Sequence, residues 1–561
     1  MLKSNFTTPF TRLPAALFAL LFALPPASAG ADGGDLLWRY PGIENVVCID
    51  WIEDIDGDGR PDVLMETYDA GASGDHLYAI SGASSGLGDL IWSIHPPGGP
   101  SNSGGYGDAC LRTAPDLNGD NVQDVLLGTA WGGRTVYAID GPTGGIIWDF
   151  DTYSDSPPTP PESGWVYGVN WIGDNTGDGI PEIIFCTGSD SDAMYCVNGA
   201  TGAVLWYLLG PDAFFDCCNI GDVNGDGYDD AAFGSGDSGQ RLTVMSGPGL
   251  GGGVPHQLWY RDYSGTVYSV AALPDINGDD IPEVLAGAWN NTVTCHSGAN
   301  GTVLWTGPVG SYVMRIDVIG DVNDDGTPDI AVASWASLAR VISGSDGTTL
   351  WTTPVGDDCW AIDGIEDVTG DGIPDVVAGS FDQKIYLMNG IDGTIEWYYT
   401  TNAKLLSVRG TPDLDGNNVP DVIGGTQRLT VGGDIYAVQG GEPISDVNDQ
   451  ASGSLTLAGF PGVKAQGPLA LTLNQPNPFL GRTQWRMETV RDGLPVTLDV
   501  INTQGQRIRR LASKLSLDRG IHTFDWDTRN DHGRVAPAGI YFLRLTAAGE
   551  TLTSEKAVLV R

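Results

Sequence analysis

The sequence predicts an all-β protein: an eight-bladed β-propeller over about residues 35–441, closed by its own N-terminal strand, with a small β-sandwich behind it. Three observations carry this prediction. An acidic nonapeptide recurs eight times, starting at Asp54, Asp116, Asp174, Asp222, Asp275, Asp321, Asp367 and Asp413. The last four copies are 46 residues apart and the earlier intervals reach 62, a period that suits one four-stranded blade. One tryptophan accompanies each repeat: Trp38, Trp92, Trp148, Trp206, Trp259, Trp305, Trp351 and Trp397.

The N-terminus reads as an export signal. Lys3 and Arg12 precede an apolar stretch from Ala15 to Leu24, followed by Pro25-Pro26 and the small triplet Ala27-Ser28-Ala29. That order predicts cleavage after Ala29. The stretch is too short to cross a bilayer, and no later segment approaches ~20 uninterrupted apolar residues. The expectation is a secreted, extracellular protein with no transmembrane segment.

Within a repeat the strands are short, β-branched or aromatic runs bounded by Gly, Asn or Asp. After Asp375 they are Val376–Gly379, Lys384–Met388, Thr394–Tyr398 and Leu405–Val408, read as the four strands of one repeat. Trp38 has no strand before it, and the last repeat ends at Ile435-Tyr436-Ala437-Val438 with no tryptophan after it. The two fragments complete each other. The Trp38 strand is therefore expected to join the final blade, which also removes the exposed edges of an open ring. The eight tryptophans are expected in the core between blades.

The nonapeptide has the chemistry of a calcium loop. Ca²⁺ takes roughly six to eight hard oxygens, supplied here by side chains at positions 1, 3 and 5, a carbonyl at 7 and a closing carboxylate at 9. The side-chain candidates are Asp54, Asp56, Asp58 and Asp62 in the first loop and Asp116, Asn118, Asp120 and Asp124 in the second. They are Asp174, Thr176, Asp178 and Glu182 in the third, and Asp222, Asn224, Asp226 and Asp230 in the fourth. The fifth offers Asp275, Asn277, Asp279 and Glu283, and the sixth Asp321, Asn323, Asp325 and Asp329. The seventh has Asp367, Thr369, Asp371 and Asp375, and the eighth Asp413, Asp415, Asn417 and Asp421. Position 6 is glycine except at Asn121, Asp280 and Asn418, residues that tolerate the left-handed backbone. Asn417 replaces the usual Asp at position 5, so the eighth site is expected to be the weakest.

The formal charge is −43, unevenly placed. Residues 467–561 hold 13 Lys/Arg against 9 Asp/Glu, leaving 15 basic and 62 acidic residues for the rest. Without a basic patch to neutralise phosphates, nucleic acid is excluded as a partner. Eight cysteines in an exported chain allow up to four disulfides. Cys186 and Cys196 flank a hairpin and are expected to face each other across it. Cys48 and Cys110 each lie six residues before a loop, and Cys217-Cys218 are adjacent on a strand expected to line the central channel.

Three catalytic signatures fail on context. Gly82-Ala83-Ser84-Ser85-Gly86 matches a nucleophile elbow but falls in a blade turn. Gly236-Asp237-Ser238-Gly239 has no histidine to partner it, and none of the six histidines forms a zinc motif. No catalytic residue and no organic cofactor site are expected.

Past Gly441 the repeat stops. Residues 442–466 read as a linker. From Asn474-Gln475-Pro476-Asn477-Pro478-Phe479 to Arg561, about seven alternating runs predict a small sandwich spanning 467–561.

These motifs resemble known families. The acidic loops resemble the FG-GAP or VCBS repeats of integrin-type propellers. Ala138-Ile139-Asp140-Gly141-Pro142-Thr143-Gly144-Gly145-Ile146-Ile147-Trp148 is similar to the tryptophan-docking motif of quinoprotein propellers and outer-membrane assembly lipoproteins. The C-terminal segment resembles the FlgD-type Ig-like domain and the sorting domain of type IX secretion. The last resemblance implies contact with a secretion machinery and attachment at an outer-membrane surface. Together they imply a secreted or cell-surface adhesion protein without catalysis, with glycan, matrix or surface-protein ligands. A quinoprotein-like oxidoreductase, to which Cys217-Cys218 would contribute a vicinal bridge over the cofactor, and a non-binding scaffold are the alternatives.

Overall fold

The computed structural model describes residues 33–441 except 43, 69–73, 97–108, 131–132, 153–163, 190–191, 237, 250, 252 and 428–432, and, from 469 on, seven strands with part of their turns. The export signal, the 442–466 linker and Asn474–Phe479 lie outside the described residues. Every element described is a strand. The chain divides into two compact units, Met1–Gly453 and Ser454–Arg561.

The first unit is an eight-bladed propeller. Seven antiparallel sheets have four strands and the eighth has five. In the seventh blade the order outward from the channel is Cys359–Ile365, Asp375–Ser380, Lys384–Met388 and Ile395–Thr400. The acidic loop thus joins the innermost strand to the second strand of the same blade. This corrects the grouping read from sequence. Leu405–Val408 belongs to the inner strand of the next blade, Lys404–Thr411, because the acidic loop is the tight hairpin while Thr401–Ala403 crosses between blades.

Burial follows position in the blade. The second strand, covered by a neighbouring blade on each face, is buried throughout, as in Asp375–Ser380. The outer strand keeps the alternation of a half-solvated sheet, as in Val303–Pro308. The ring closes as the sequence indicated. Leu36–Pro41 pairs antiparallel with Asp434–Val438, with Trp38 opposite Ala437 and Tyr40 opposite Ile435. A two-residue strand from the first blade, Gly86–Leu87, pairs in parallel on its other side, so the closing strand is held by the last and the first blade together.

Each tryptophan seals one seam. The indole Nε1 donates to a glycine carbonyl of the following blade: Trp38 to Gly82 at 2.9 Å, Trp92 to Gly141 at 2.7 Å and Trp148 to Gly199 at 2.6 Å. Trp206, Trp259, Trp305 and Trp351 reach Gly247, Gly298, Gly344 and Gly390 at 2.6–2.9 Å. Trp397 reaches Gly441 at 3.2 Å. Close approach dictates all of these glycines but Gly441, which instead has φ of 101°. A Cβ on Gly344 would lie 1.9 Å from the Pro328 carbonyl oxygen, and one on Gly390 would lie 1.8 Å from that of Pro374.

The second unit is a β-sandwich. One sheet holds Leu469–Leu473, Thr483–Thr489 and Gly520–Trp526. The other holds Leu494–Asn502, Arg507–Leu517, Gly539–Ala547 and Glu550–Leu559. Trp485 and Trp526 from the first sheet share a core with Val500, Leu543 and Leu545 from the second. Buried Asp499 accepts two bonds from the Arg510 guanidinium, at 2.8 and 3.0 Å, a bidentate pair.

Candidate functional site

The eight acidic loops share one hydrogen-bond plan. The position-1 carboxylate accepts N–H groups from its own loop, as Asp54 does from Gly57 at 2.6 Å and Gly59 at 2.8 Å. Position 5 accepts from position 7 in all eight loops, as Asp58 does from the Arg60 N–H at 2.9 Å, and position 3 accepts from position 5 in five of them, as Asp56 does from the Asp58 N–H at 3.0 Å. These turns need a left-handed backbone at positions 4 and 6, where Gly57 and Gly59 have φ of 85° and 89°. Asn121, Asp280 and Asn418 adopt φ of 66°, 63° and 66° at position 6. Asp324 does the same at position 4 of the sixth loop, with φ of 60°.

Position 9 has a second task that sequence reasoning missed. It is the first residue of the buried second strand or stands next to it, and its carboxylate accepts from both directions. Asp329 takes the Val322 N–H at 2.9 Å and the Gly344 N–H at 3.0 Å. Asp375 takes Val368 at 2.9 Å and Gly390 at 3.0 Å. Asp62, Asp124, Asp230, Glu283 and Asp421 repeat the pattern, and Glu182 does so with Thr176 in the first role. In the first seven blades the glycine is the one whose carbonyl receives the preceding blade's indole, so an unbroken chain of hydrogen bonds runs from the acidic loop into a blade seam. In the eighth, Asp421 takes the Gly440 N–H while Trp397 reaches the carbonyl of Gly441.

The electrostatics divide the ligand positions. Burial, then the neighbouring loop carboxylates, pushes Asp62, Asp124 and Asp329 up to about 6 and Asp230 and Asp421 up to about 7. Burial acts on Asp116 and Asp275 too, but four backbone N–H donors outweigh it and hold both below the usual carboxylate range. Acid oxygens of Asp54, Asp56 and Asp58 converge within 4.8 Å of one another, as do those of Asp275, Asp279 and Glu283, and of Asp413, Asp415 and Asp421. Such oxygen-only clusters match what a hard cation takes. The eighth loop differs from the rest: Arg60, at position 7 of the first loop, sets Nη1 2.9 Å from the Asp413 carboxylate.

The channel carries a different set of groups. Asp50, Asp317 and Asp363 each accept a backbone N–H from the next blade's inner strand, at 2.9, 2.9 and 3.0 Å. Burial beside Asp317 pushes Asp363 up to about 8, partly offset by Arg409 and Arg315. A cavity of about 280 Å³ is lined by Arg112, Asn170, Asp216, Cys218 and Arg315 among others. Cys217 and Cys218 pair with Phe233 and Ala232 on an extended strand, so their side chains leave on opposite faces, which does not suit a vicinal bridge. The hairpin expectation for Cys186 and Cys196 is corrected: Cys186 pairs with Met194 and Cys196 with Ile184. All eight cysteines are free thiols.

At the channel mouth opposite the acidic loops, an aromatic arc crosses five blades. Tyr167, Phe215, Tyr268, Trp289 and Tyr312 follow one another at centroid spacings of 5.2 to 5.4 Å. Trp335, Trp360 and Phe381 continue it at 6.1, 6.2 and 4.8 Å. The ammonium of Lys404 ends the arc, 4.2 Å over the Phe381 ring. The sequence did hold a signal for half of it, since Tyr167, Phe215, Tyr268 and Trp360 each stand seven residues before an acidic loop.

Among the described residues no helix is long and apolar enough to cross a membrane. No family model matches the sequence, and no curated protein is similar to it. Similar folds occur among solved structures. Sqt1 of Saccharomyces cerevisiae is 12% identical with a TM-score of 0.50, over 73% of this chain and 99% of that one. The C-terminal WD40 domain of Sif2 is 14% identical with a TM-score of 0.48, over 72% and 99%. BamB from Moraxella catarrhalis is 13% identical with a TM-score of 0.40, over 66% and 94%. The likeness to Sqt1 extends to the fold alone, and that fold is the β-propeller.

Proposed function

We propose that this protein is a secreted or cell-surface binding protein of FG-GAP/VCBS type, whose propeller is held rigid by calcium and does no chemistry itself. The observation that carries the reading is the shared hydrogen-bond plan of the eight loops. In each, backbone amides fix the side chains at positions 1 and 5, and in the first, fifth and eighth loops acid oxygens converge within 4.8 Å of one another. Positions 1, 3, 5 and 9 would hold Ca²⁺, with Asp54, Asp56 and Asp58 the most acidic example. The metal would offset the repulsion among loop carboxylates and, through position 9 and its glycine, brace the blade seam.

A propeller offers a partner a stiff ring with broad end faces, the usual basis of ligand binding by such folds. An acidic surface favours cationic or calcium-bridged glycans, matrix polymers or surface proteins. The C-terminal sandwich, by its FlgD-like and type IX sorting motifs, would serve export and attachment. The test is binding of the full chain to a panel of glycans, matrix polymers and surface proteins, in calcium and in chelator. Calcium-dependent binding supports the reading. A folded, calcium-loaded chain that binds nothing on the panel is the opposing result.

A further inference from the structure

We propose that the aromatic arc is the ligand-facing surface, and that it docks a lysine- or arginine-rich polypeptide segment. The proposal rests on the reading of this chain as a binding protein and adds the face and the chemistry of its partner. The arc's middle is open to solvent: Trp335 is 46% exposed and Tyr312 44%. On either side of that middle Tyr268 and Trp360 are buried. Rings already ordered by mutual stacking lose little freedom when a ligand arrives.

Geometry singles out Trp335. Its neighbours stack nearly face to face, Trp289 on Tyr312 at 19° and Trp360 on Phe381 at 18°. Trp335 is turned 68° from Tyr312 and 75° from Trp360, so it lies across rings that are otherwise spent on one another. The Asp358 carboxylate lies beside its indole. An aromatic face beside a carboxylate attracts a cation twice, through the ring quadrupole and through charge.

Charge and an internal example favour a basic peptide. Asp357 and Asp358 stand together at this rim, on a chain of net charge −43. The chain's own Lys404 already shows the mode, with its ammonium over Phe381 and its charge acting on Asp358. A second lysine or arginine laid along the arc would run its apolar stem over the rings and set its head at the carboxylates.

The experiment is fluorescence anisotropy of labelled oligolysine with the full chain, in calcium at physiological salt, with a chitosan oligomer run in parallel. Trp335→Ala and Asp358→Asn change the arc. Tyr398→Ala, 46% exposed on the outer strand of the seventh blade, controls for general attraction to an acidic protein. The proposal expects Trp335→Ala to weaken oligolysine binding about fivefold or more, with Asp358→Asn in the same direction and Tyr398→Ala within about twofold of the parent. Three results overturn it: equal binding by the parent and Trp335→Ala, no binding by the folded parent, or Trp335-dependent binding of chitosan alone. Melting each variant with and without chelator separates the two readings. A chain whose melt ignores chelator but whose binding needs Trp335 loses the calcium reading and keeps this one.

Discussion

Trp305→Phe tests the seam directly. Trp305 lies in the outer strand of the fifth blade, 8% exposed, and its indole N–H reaches the Gly344 carbonyl of the sixth blade at 2.9 Å. Phenylalanine keeps an aromatic ring but cannot donate. A buried carbonyl left without its partner costs about 1–3 kcal/mol, and the smaller ring adds about 1 kcal/mol of lost packing. The expected loss is thus about 2–4 kcal/mol. For a cooperative unit of roughly 400 residues the entropy of unfolding near the melting point is about 0.9 kcal/mol/K, so Tm should fall by about 2–5 °C. Scanning calorimetry in calcium is the assay, with solvent-exposed Trp335→Phe as the control expected to move Tm by less than about 1 °C. Equal shifts for the two variants would refute the idea that the tryptophan–glycine bond holds the blades together.

Further outcomes follow from the same geometry. Burial pushes Asp62, Asp124 and Asp329 up to about 6 and Asp230 and Asp421 up to about 7, so the metal-free native chain holds protons that the unfolded chain has released. The stability they contribute is full below about pH 4 and lost as pH rises through about 6 to 7, so in chelator Tm at about pH 5 should exceed Tm at about pH 8. In calcium the order should reverse, because protons then compete with the metal; a chelator profile that rises with pH contradicts the assignment. Arg60→Gln removes the guanidinium 2.9 Å from Asp413 and should tighten calcium at the eighth loop by roughly tenfold, read by calorimetric titration, where an unchanged isotherm counts against the arginine as a competing cation. Asp371→Ala should delete one site and leave the others. Since Cys217 and Cys218 leave their strand on opposite faces, a peptide spanning both should take two alkyl groups after denaturation without reductant.

What the sequence made legible was local chemistry repeated in register. The loops could be read because positions 1, 3, 5 and 9 answer to one short turn, and ring closure because Trp38 lacked a strand and Val438 lacked a tryptophan. What stayed hidden depends on register or on neighbours brought in by closure. The Cys186–Cys196 hairpin could be placed, but which residues oppose each other depends on the turn, and a slip of register changes every pair. The bond from Gly344 to Asp329 joins residues 15 apart, through a turn that sequence spacing does not specify. Arg60 meets Asp413 across 353 residues, a contact that exists only once the ring is closed. In the arc, Trp289, Trp335 and Phe381 come from second-strand ends rather than from the inner strands that supply Tyr268 and Trp360. Two different strand positions therefore merge into one surface.

Calcium is the central claim, and a thermal melt of the full chain in calcium and in chelator, with bound calcium counted by equilibrium dialysis, tests it most directly. With free calcium about tenfold above the dissociation constants, each site adds about 1.4 kcal/mol and eight add on the order of 10 kcal/mol. At the slope above, that amounts to a fall of about 10 °C on chelation, with seven or eight ions bound per chain if the eighth loop is the weak one. A chain that binds no calcium and melts at the same temperature in chelator would contradict the account.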